Sequence, residues 1–383
     1  MEFINNDIYD IIIENERRKW ESSMINNLQP TSWETPKYSK KQIDRAGKII
    51  ADPTSSEQDK NEALEVLNNW RSSHAYPLQV ITSHLRRKNN DAIVVQRLKR
   101  LDSIVGKLER NPDMSLYRMQ DLGGCRVIVD TINQVYEAVD RFKNSRIRHI
   151  LKREYNYIQK PKDSGYRSYH MVYQFQSDKK ETYNKNMLIE IQFRTKLQHI
   201  WATAVEMMGI YTKSNLKASQ GNEEILRFFT LVASIIAIQE KQPVCPNTST
   251  YIDELVTEIK HLNEKHHIIS TLESLNVAID YTSNKKINSK NAYYILILDY
   301  INRKVSVKTF KSSNIEIATH VYSQIENKTN NNVVLVSASS FDLLREAYPN
   351  YFVDISKFIN IIDDILNNYD YIMECSLRQL MEN

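Results

Sequence analysis

The chain of 383 residues is poor in cysteine and glycine. Its three cysteines, Cys125, Cys245 and Cys375, lie far apart. An odd, scattered set neither frames a disulfide scaffold nor fills a cysteine zinc site, and a reducing cytoplasm is the expected setting. No apolar run approaches the roughly 20 residues of a membrane span, so no membrane contact is expected. The opening "MEFINNDIYD" carries an acid at residue 2 and no basic stretch leading into an apolar one, so no secretory leader is expected. No GxxxxGK[ST] loop and no kinase signature set is present. Phosphates, if bound, must be held by side chains. The seven glycines are unevenly placed, with five between Gly106 and Gly209. A glycine-poor chain keeps them where backbone geometry or close approach demands them, so chemistry is sought in that stretch.

What is present is ordinary in bulk and uneven in detail. Hydrophobic residues make up 41% and charged residues 26%, which fits a globular protein with room for two or three domains. The net charge is only +4, yet "RFKNSRIRHILKR" places Arg141, Lys143, Arg146, Arg148, Lys152 and Arg153 together with no acid between them. Such a run is either a solvated face or a strip for nucleic-acid phosphates.

The hydrophobic period changes along the chain. Residues 1–40 read as a peripheral N-terminal arm, and residues 41–110 read as helices, with Ala63, Val66, Leu67 and Trp70 on one helical face. From Gln120 the period is that of strands: "CRVIVD", "HMVYQFQ" and "MLIEIQFR", with helices near 132–144 and 195–209. Residues 221–289 read as a helical connector. Residues 290–383 read as a second, smaller α+β unit: a hairpin, the helix "IEIATHVYSQIENK", the strand "NNVVLVSAS" and a last helix near "ISKFINIIDDILNNY". The expected class is α+β, with a small mixed β-sheet flanked by helices in the first unit, residues 41–220, and the smaller C-terminal unit beside it.

Four stretches carry candidate chemistry. In "MLIEIQFR", Glu190, Gln192 and Arg194 share one strand face, a carboxylate, an amide and a guanidinium suited to a metal-bridged phosphate. "QDLGGCRVIVD" supplies a second carboxylate, Asp121, and Arg126. "RLKRLDSIVGK" supplies Arg97, Lys99, Ser103 and Lys107, either a phosphate-binding loop or an amphipathic basic helix. "QKPKDSGYRSYHMVY" supplies Tyr166, Arg167 and His170, a basic turn with an aromatic that either stacks on a base or packs locally.

In order and spacing these four resemble the synthetase domain of RelA/SpoT proteins, which transfer the β,γ-pyrophosphate of ATP to a ribose 3′-hydroxyl. The family's R-x-K-x-x-x-S-I-x-x-K matches Arg97, Lys99, Ser103, Ile104 and Lys107. Its D-x-x-G-x-R-V-I matches Asp121 to Ile128, its P-K-x-x-G-Y-R-S-x-H matches Pro161 to His170, and its E-I-Q-x-R-T matches Glu190 to Thr195. The resemblance covers about residues 60–215. It implies that Arg97 and Arg126 hold the adenine of ATP, and that Lys99, Ser103 and Lys107 hold its phosphates. It implies that Asp121 and Glu190 bind Mg²⁺ and carry catalysis, that Tyr166 stacks on the acceptor base, and that Arg167, His170, Gln192 and Arg194 position acceptor and phosphates.

"NNWRSSHAYPL" and "HIWATAVEMMG" look like toxic small synthetases, several of which modify the 3′-CCA end of tRNA. On that reading Arg141, Lys143, Arg146, Arg148, Lys152 and Arg153 contact tRNA. The C-terminal unit, with Tyr348 and Tyr351 in a Y-x-x-Y pattern, resembles fused toxin–antitoxin proteins of the CapRel type, in which it blocks the ATP site until a phage capsid protein binds it. The other acceptor class is a free nucleotide, giving an alarmone such as (p)ppGpp or (p)ppApp. No His-Asp dipeptide occurs, so the hydrolase domain of bifunctional relatives is not expected. The oligomeric state is not legible.

Overall fold

A computed structural model describes residues 33–212, 221–275, 280–282, 292–299, 304–311, 314–328, 332–338, 343–344, 347 and 355–367. Three helices come first: α1 (Lys40–Ala51), α2 (Glu57–Ser73) and α3 (Ala75–Lys88). Local chemistry sets their starts. Ser39 and Gln42 form a capping box at α1, and the Ser56 side chain accepts from the Asp59 amide at α2. Pro77 lies in the first turn of α3, where its missing N–H costs nothing.

The strand β1 (Ile93–Leu98) follows, then α4 (Leu101–Arg110), β2 (Gly123–Val129) and α5 (Ile132–Lys143). Here the helical expectation for residues 41–110 is corrected, because "IVVQRL" is a strand. A six-residue segment is too short to show a 3.6-residue period, and its pairing with β2 and a later strand decides the matter. The edge strand β3 (Ile150–Asn156) was likewise not expected, since its basic residues masked the alternation. Next come β4 (Tyr169–Gln174), β5 (Leu188–Thr195), α6 (Lys196–Tyr211), α7 (Glu223–Gln239), α8 (Ile252–His266) and α9 (Ile268–Leu275). A short strand, β6 (Asp280–Thr282), interrupts the stretch expected to be a helical connector. The last described elements are β7 (Ala292–Asp299), β8 (Lys304–Lys311), α10 (Ile315–Lys328), β9 (Asn332–Ala338) and α11 (Ser356–Asn367).

Among the described residues all nine strands form one mixed sheet, in the order β3-β4-β5-β2-β1-β9-β7-β8-β6. β2 and β5 run parallel, while β1 runs antiparallel to β2 on one side and to β9 on the other. The C-terminal strands therefore extend the sheet of the first unit, through Gln96 opposite Ser337 and Arg97 opposite Val336. Arg86 of α3 strengthens this seam, donating to the Ser337 carbonyl at 3.0 Å and hydroxyl at 3.1 Å.

Two apolar cores flank the sheet. One packs α1, α2, α3 and α5 against Val127, Ile189, Ile191 and Phe193. The other surrounds α7, which is apolar on most of its circumference and buried from Phe228 to Ala237. That core runs without a break from Trp201 of α6 through Phe229 of α7 to Phe358 of α11 and Val334 of β9. The rings of Phe229 and Phe358 stack at 5.7 Å.

Candidate active site

The site forms where β1, β2, β5 and β4 meet. Sheet register sets Arg126 of β2 opposite Gln192 of β5, and Gln192 opposite His170 of β4. One row over, Arg97 of β1 faces Gly124 of β2, and Gly124 faces Glu190. Side chains two apart on a strand share a face, so these residues collect on one side of the sheet. A cavity of about 60 Å³ lies there, lined by Arg97, Lys99, Asp121, Gly124, Cys125, Arg126, Glu190 and Gln192. Gly124 helps to make the hollow, for a Cβ there would find only the Glu190 carbonyl, at 3.9 Å.

"RLKRLDSIVGK" turns out to be neither wholly loop nor wholly helix. Arg97 ends its strand, Lys99 follows in the connection, and Ser103 and Lys107 stand one turn apart on α4. Lys99 Nζ and Lys107 Nζ each lie 2.9 Å from an oxygen of Asp121, one ammonium per oxygen. Burial alone would raise the Asp121 carboxyl, but the two ammonium groups outweigh it and hold the group far below the usual carboxylate range. Burial also lowers Lys99, with Asp121 resisting.

Across the cavity Glu190 belongs to a second network. Its Oε1 lies 3.0 Å from His170 Nδ1, and its Oε2 accepts from Gln192 Nε2 at 2.7 Å. His170 Nε2 is 2.9 Å from the Tyr166 hydroxyl, which also accepts from Arg194 at 3.1 Å. Arg194 further donates to Gln192. Burial opposes the charge on His170, but Tyr166 and Glu190 prevail and raise it to about 9. Burial favours a neutral Tyr166, yet Arg194 and then His170 pull it down to about 7. Burial likewise favours a neutral Glu190, and the imidazolium of His170 keeps it ionised. The strand face that might have been a solvated one is thus a buried ionic chain, with Arg194 2% exposed.

Most of the residues expected to act together are brought together, and the exceptions are informative. Tyr166 is buried with its hydroxyl in the network, and Lys162 Nζ lies 5.4 Å from its ring centre and 4.6 Å from that of Tyr157. Arg167 stands apart from the cavity, because its guanidinium donates to the Ile158 carbonyl at 2.8 Å and to the Pro243 carbonyl. Of the basic run, Arg141 pairs with Glu137, Lys143 with Glu154 and Arg148 with Asp178. Arg146, Lys152 and Arg153 are exposed, and Arg153 donates to the Tyr155 hydroxyl at 3.3 Å. Tyr348 and Tyr351 lie outside the described residues. The residue just before them is described: the Ala347 carbonyl accepts from Arg126 Nη1 at 3.3 Å.

Sequence reasoning missed two residues beside the site, Arg71 and Glu326. Arg71 sits four residues after Leu67 on the buried face of α2, and a charge in phase with an apolar stripe was the available signal. Nothing in the sequence could have linked it to Glu326, which is 255 positions away and pairs with it at 2.6 Å.

The donor set is compatible with a divalent cation. Asp121 and Glu190 line one cavity and raise each other's cost of ionisation, as Asp121 does for Glu190. Magnesium takes one or two protein carboxylates and fills its remaining positions with water and phosphate oxygens. Among the described residues no group of three or more His, Cys, Asp or Glu stands together, so two carboxylates would be the protein's share.

Comparison with known proteins agrees with the motif reading. Residues 96–216 match the family model described as "Region found in RelA / SpoT proteins". The chain is 32% identical over 127 residues to GTP pyrophosphokinase YjbM of Bacillus subtilis, covering 32% of this chain and 58% of that protein. It is 33% identical over 126 residues to GTP pyrophosphokinase YwaC of the same organism, covering 31% of this chain and 57% of that protein. The chain thus spans less than two thirds of the curated relatives it matches. The solved structure of a GTP pyrophosphokinase family protein from Streptococcus pneumoniae is 26% identical, covering 56% of this chain and 98% of that one, with a TM-score of 0.36. Asp121, Glu190 and the cavity between them lie within residues 96–216, the stretch that matches the RelA/SpoT model.

Proposed function

We propose that the protein is a pyrophosphokinase that moves the β,γ-pyrophosphate of ATP to the 3′-hydroxyl at the 3′-CCA end of tRNA. The observation that carries the transfer reaction is the pairing of Lys99 and Lys107 on Asp121, facing Glu190 across one small cavity lined by Arg97 and Arg126. Phosphoryl-group transfer asks for positioning and charge neutralisation, and this cavity is lined by three cationic side chains and two carboxylates, with Lys107 paired to Asp121 at its margin. The acceptor oxygen attacks the β-phosphorus, the bond to the α-phosphate oxygen breaks, and AMP leaves. Glu190, held on one oxygen by His170 and on the other by Gln192, takes the hydroxyl proton. Lys99 and Lys107 exchange Asp121 for phosphate oxygens, and Arg97 and Arg126 hold the adenine. Mg²⁺, bound by Asp121 and Glu190, would neutralise phosphate charge.

Exposed Arg146, Lys152 and Arg153 on the α5–β3 segment support a tRNA acceptor. The relatives named GTP pyrophosphokinases favour the second reading, an alarmone synthetase. Incubation with γ-labelled ATP and deacylated tRNA, GDP, GTP or ATP separates them: label on tRNA is expected, and label on GDP alone selects the second. Glu190→Gln and Asp121→Asn are expected to lose about a thousandfold in transfer rate while staying folded.

In this reading the C-terminal unit is inhibitory, and a phage capsid protein releases it in anti-phage defence. The Ala347 contact with Arg126 supports the first part, for it puts the chain preceding Tyr348 against the proposed adenine site. Tyr348→Ala and Tyr351→Ala in the full chain are expected to raise activity and toxicity. Folded variants with unchanged activity return those tyrosines to a packing role.

A further inference from the structure

Arg71 is wholly buried, and the carboxylate found against it belongs to Glu326 of the C-terminal helix α10. The same carboxylate does more than pair. Glu326 Oε1 accepts from the backbone amide of Leu101 at 3.0 Å and from the Tyr322 hydroxyl at 2.9 Å, while Oε2 lies 2.6 Å from Arg71 Nη2. Leu101 is the first residue of α4, the helix that carries Ser103 and Lys107, and its amide is one of the donors a helix start leaves unpaired. Arg71 also reaches the Lys99 carbonyl, at 3.5 Å, so the pair sits directly behind the connection that bears Lys99. Two oxygens on one atom thus bridge a guanidinium and a helix N-terminal amide, against the backbone of the connection that bears Lys99.

A carboxylate and a phosphoryl group present the same feature here: two charged oxygens little more than 2 Å apart on one central atom. Arg71 Nε has no hydrogen-bond acceptor, although it is buried, so the guanidinium keeps a spare donor. Without Glu326 the site would be a buried cation beside the unpaired Leu101 amide, an arrangement too costly to stand empty. We propose that Arg71 and the Leu101 amide form a phosphate-binding position for the donor triphosphate, occupied here by the Glu326 carboxylate, so that α10 and the nucleotide compete for one anion site. The proposal rests on the pyrophosphokinase reading for the identity of the anion. The Ala347 carbonyl meets Arg126 at the adenine end, whereas Glu326 acts at the phosphate end, through a different interaction.

The test uses the full chain with Glu326→Gln, which keeps size and one acceptor oxygen but removes the charge and the second acceptor. Calorimetric titrations with inorganic tripolyphosphate, with a non-hydrolysable ATP analogue and with adenosine are compared. Glu326→Gln is expected to tighten tripolyphosphate and the ATP analogue by about tenfold or more and to leave adenosine unchanged. Tyr322→Phe, which removes the hydroxyl that donates to Glu326 and accepts from Arg71, is expected to give a smaller gain in the same direction and serves if Glu326→Gln does not fold. Equal affinities in the unaltered chain and both variants overturn the proposal. So does an equal gain for adenosine, which would mean a loosened sheet and not a vacated anion site. A gain for tripolyphosphate with no ATP binding by any form supports the anion site and sinks the donor reading. ATP binding that is unaffected by either substitution keeps the donor reading and sinks the competition.

Discussion

Two histidines, buried in different surroundings, show how environment sets role. His170 sits between a carboxylate and a phenol and is held charged, raised to about 9. Its positive charge is what keeps Glu190 ionised despite burial. His170→Gln is therefore expected to raise the Glu190 pKa and move the acid limb of the pH–rate profile upward, with a larger effect on kcat than on KM. His74, at the α2–α3 junction, has no acid partner. Its Nδ1 donates to the Trp70 carbonyl at 2.7 Å, and burial lowers the ring to about 4. Unfolded, the imidazole takes its proton near pH 6.5. The stability linked to the neutral ring is therefore complete above about 6.5 and is lost as the pH falls toward 4, an effect of about 3 kcal/mol. Urea denaturation at pH 7 and pH 4.5 measures it, and His74→Gln should flatten the difference.

At the scale of elements, the strict alternation of "MLIEIQFR" was enough to place Glu190, Gln192 and Arg194 on one face of β5, with Ile189, Ile191 and Phe193 fully buried on the other. The α10 sequence "IEIATHVYSQIENK" was equally legible as a helix, and Ala318 and Tyr322, four apart, are buried on one face of it. β1 was not, because its period is overridden by partners on both sides. Between β3 and β4 the loop that carries Tyr166 is fixed by Gly165. Its φ of +84° is strained for any side chain, and a Cβ there would sit 2.8 Å from Ala233 Cβ and 3.2 Å from Thr230 Cα of α7. Gly165→Ala is expected to cost about 2 kcal/mol or more, read by chemical denaturation, and to weaken transfer by displacing Tyr166.

For the whole molecule, the decisive fact is that the C-terminal strands pair with the strand that carries Arg97. The C-terminal unit is a continuation of the sheet, and α11 closes the core around α7. Phe358 is fully buried against Phe229, and Phe358→Ala is expected to cost about 3 kcal/mol or more in a denaturation experiment. A chain ended after residue 275 would bare the β1 edge and the apolar surface beneath α11. It is expected to self-associate in light scattering, whereas the full chain with Glu326→Gln is not.

The sequence by itself singled out most residues of the cavity, Glu190 and Gln192 by strand periodicity and Arg97, Lys99, Asp121 and Arg126 by motif order, but not that Arg97 ends a strand. It also determined the class, α+β with a mixed sheet. The tertiary structure alone decided how far that sheet extends, that Arg167 turns toward the Ile158 and Pro243 carbonyls, and that Glu326 meets Arg71. Those contacts join segments up to 255 positions apart. Local propensity carries no information about such pairings, which are fixed only when buried charge and open strand edges find partners in the assembled sheet.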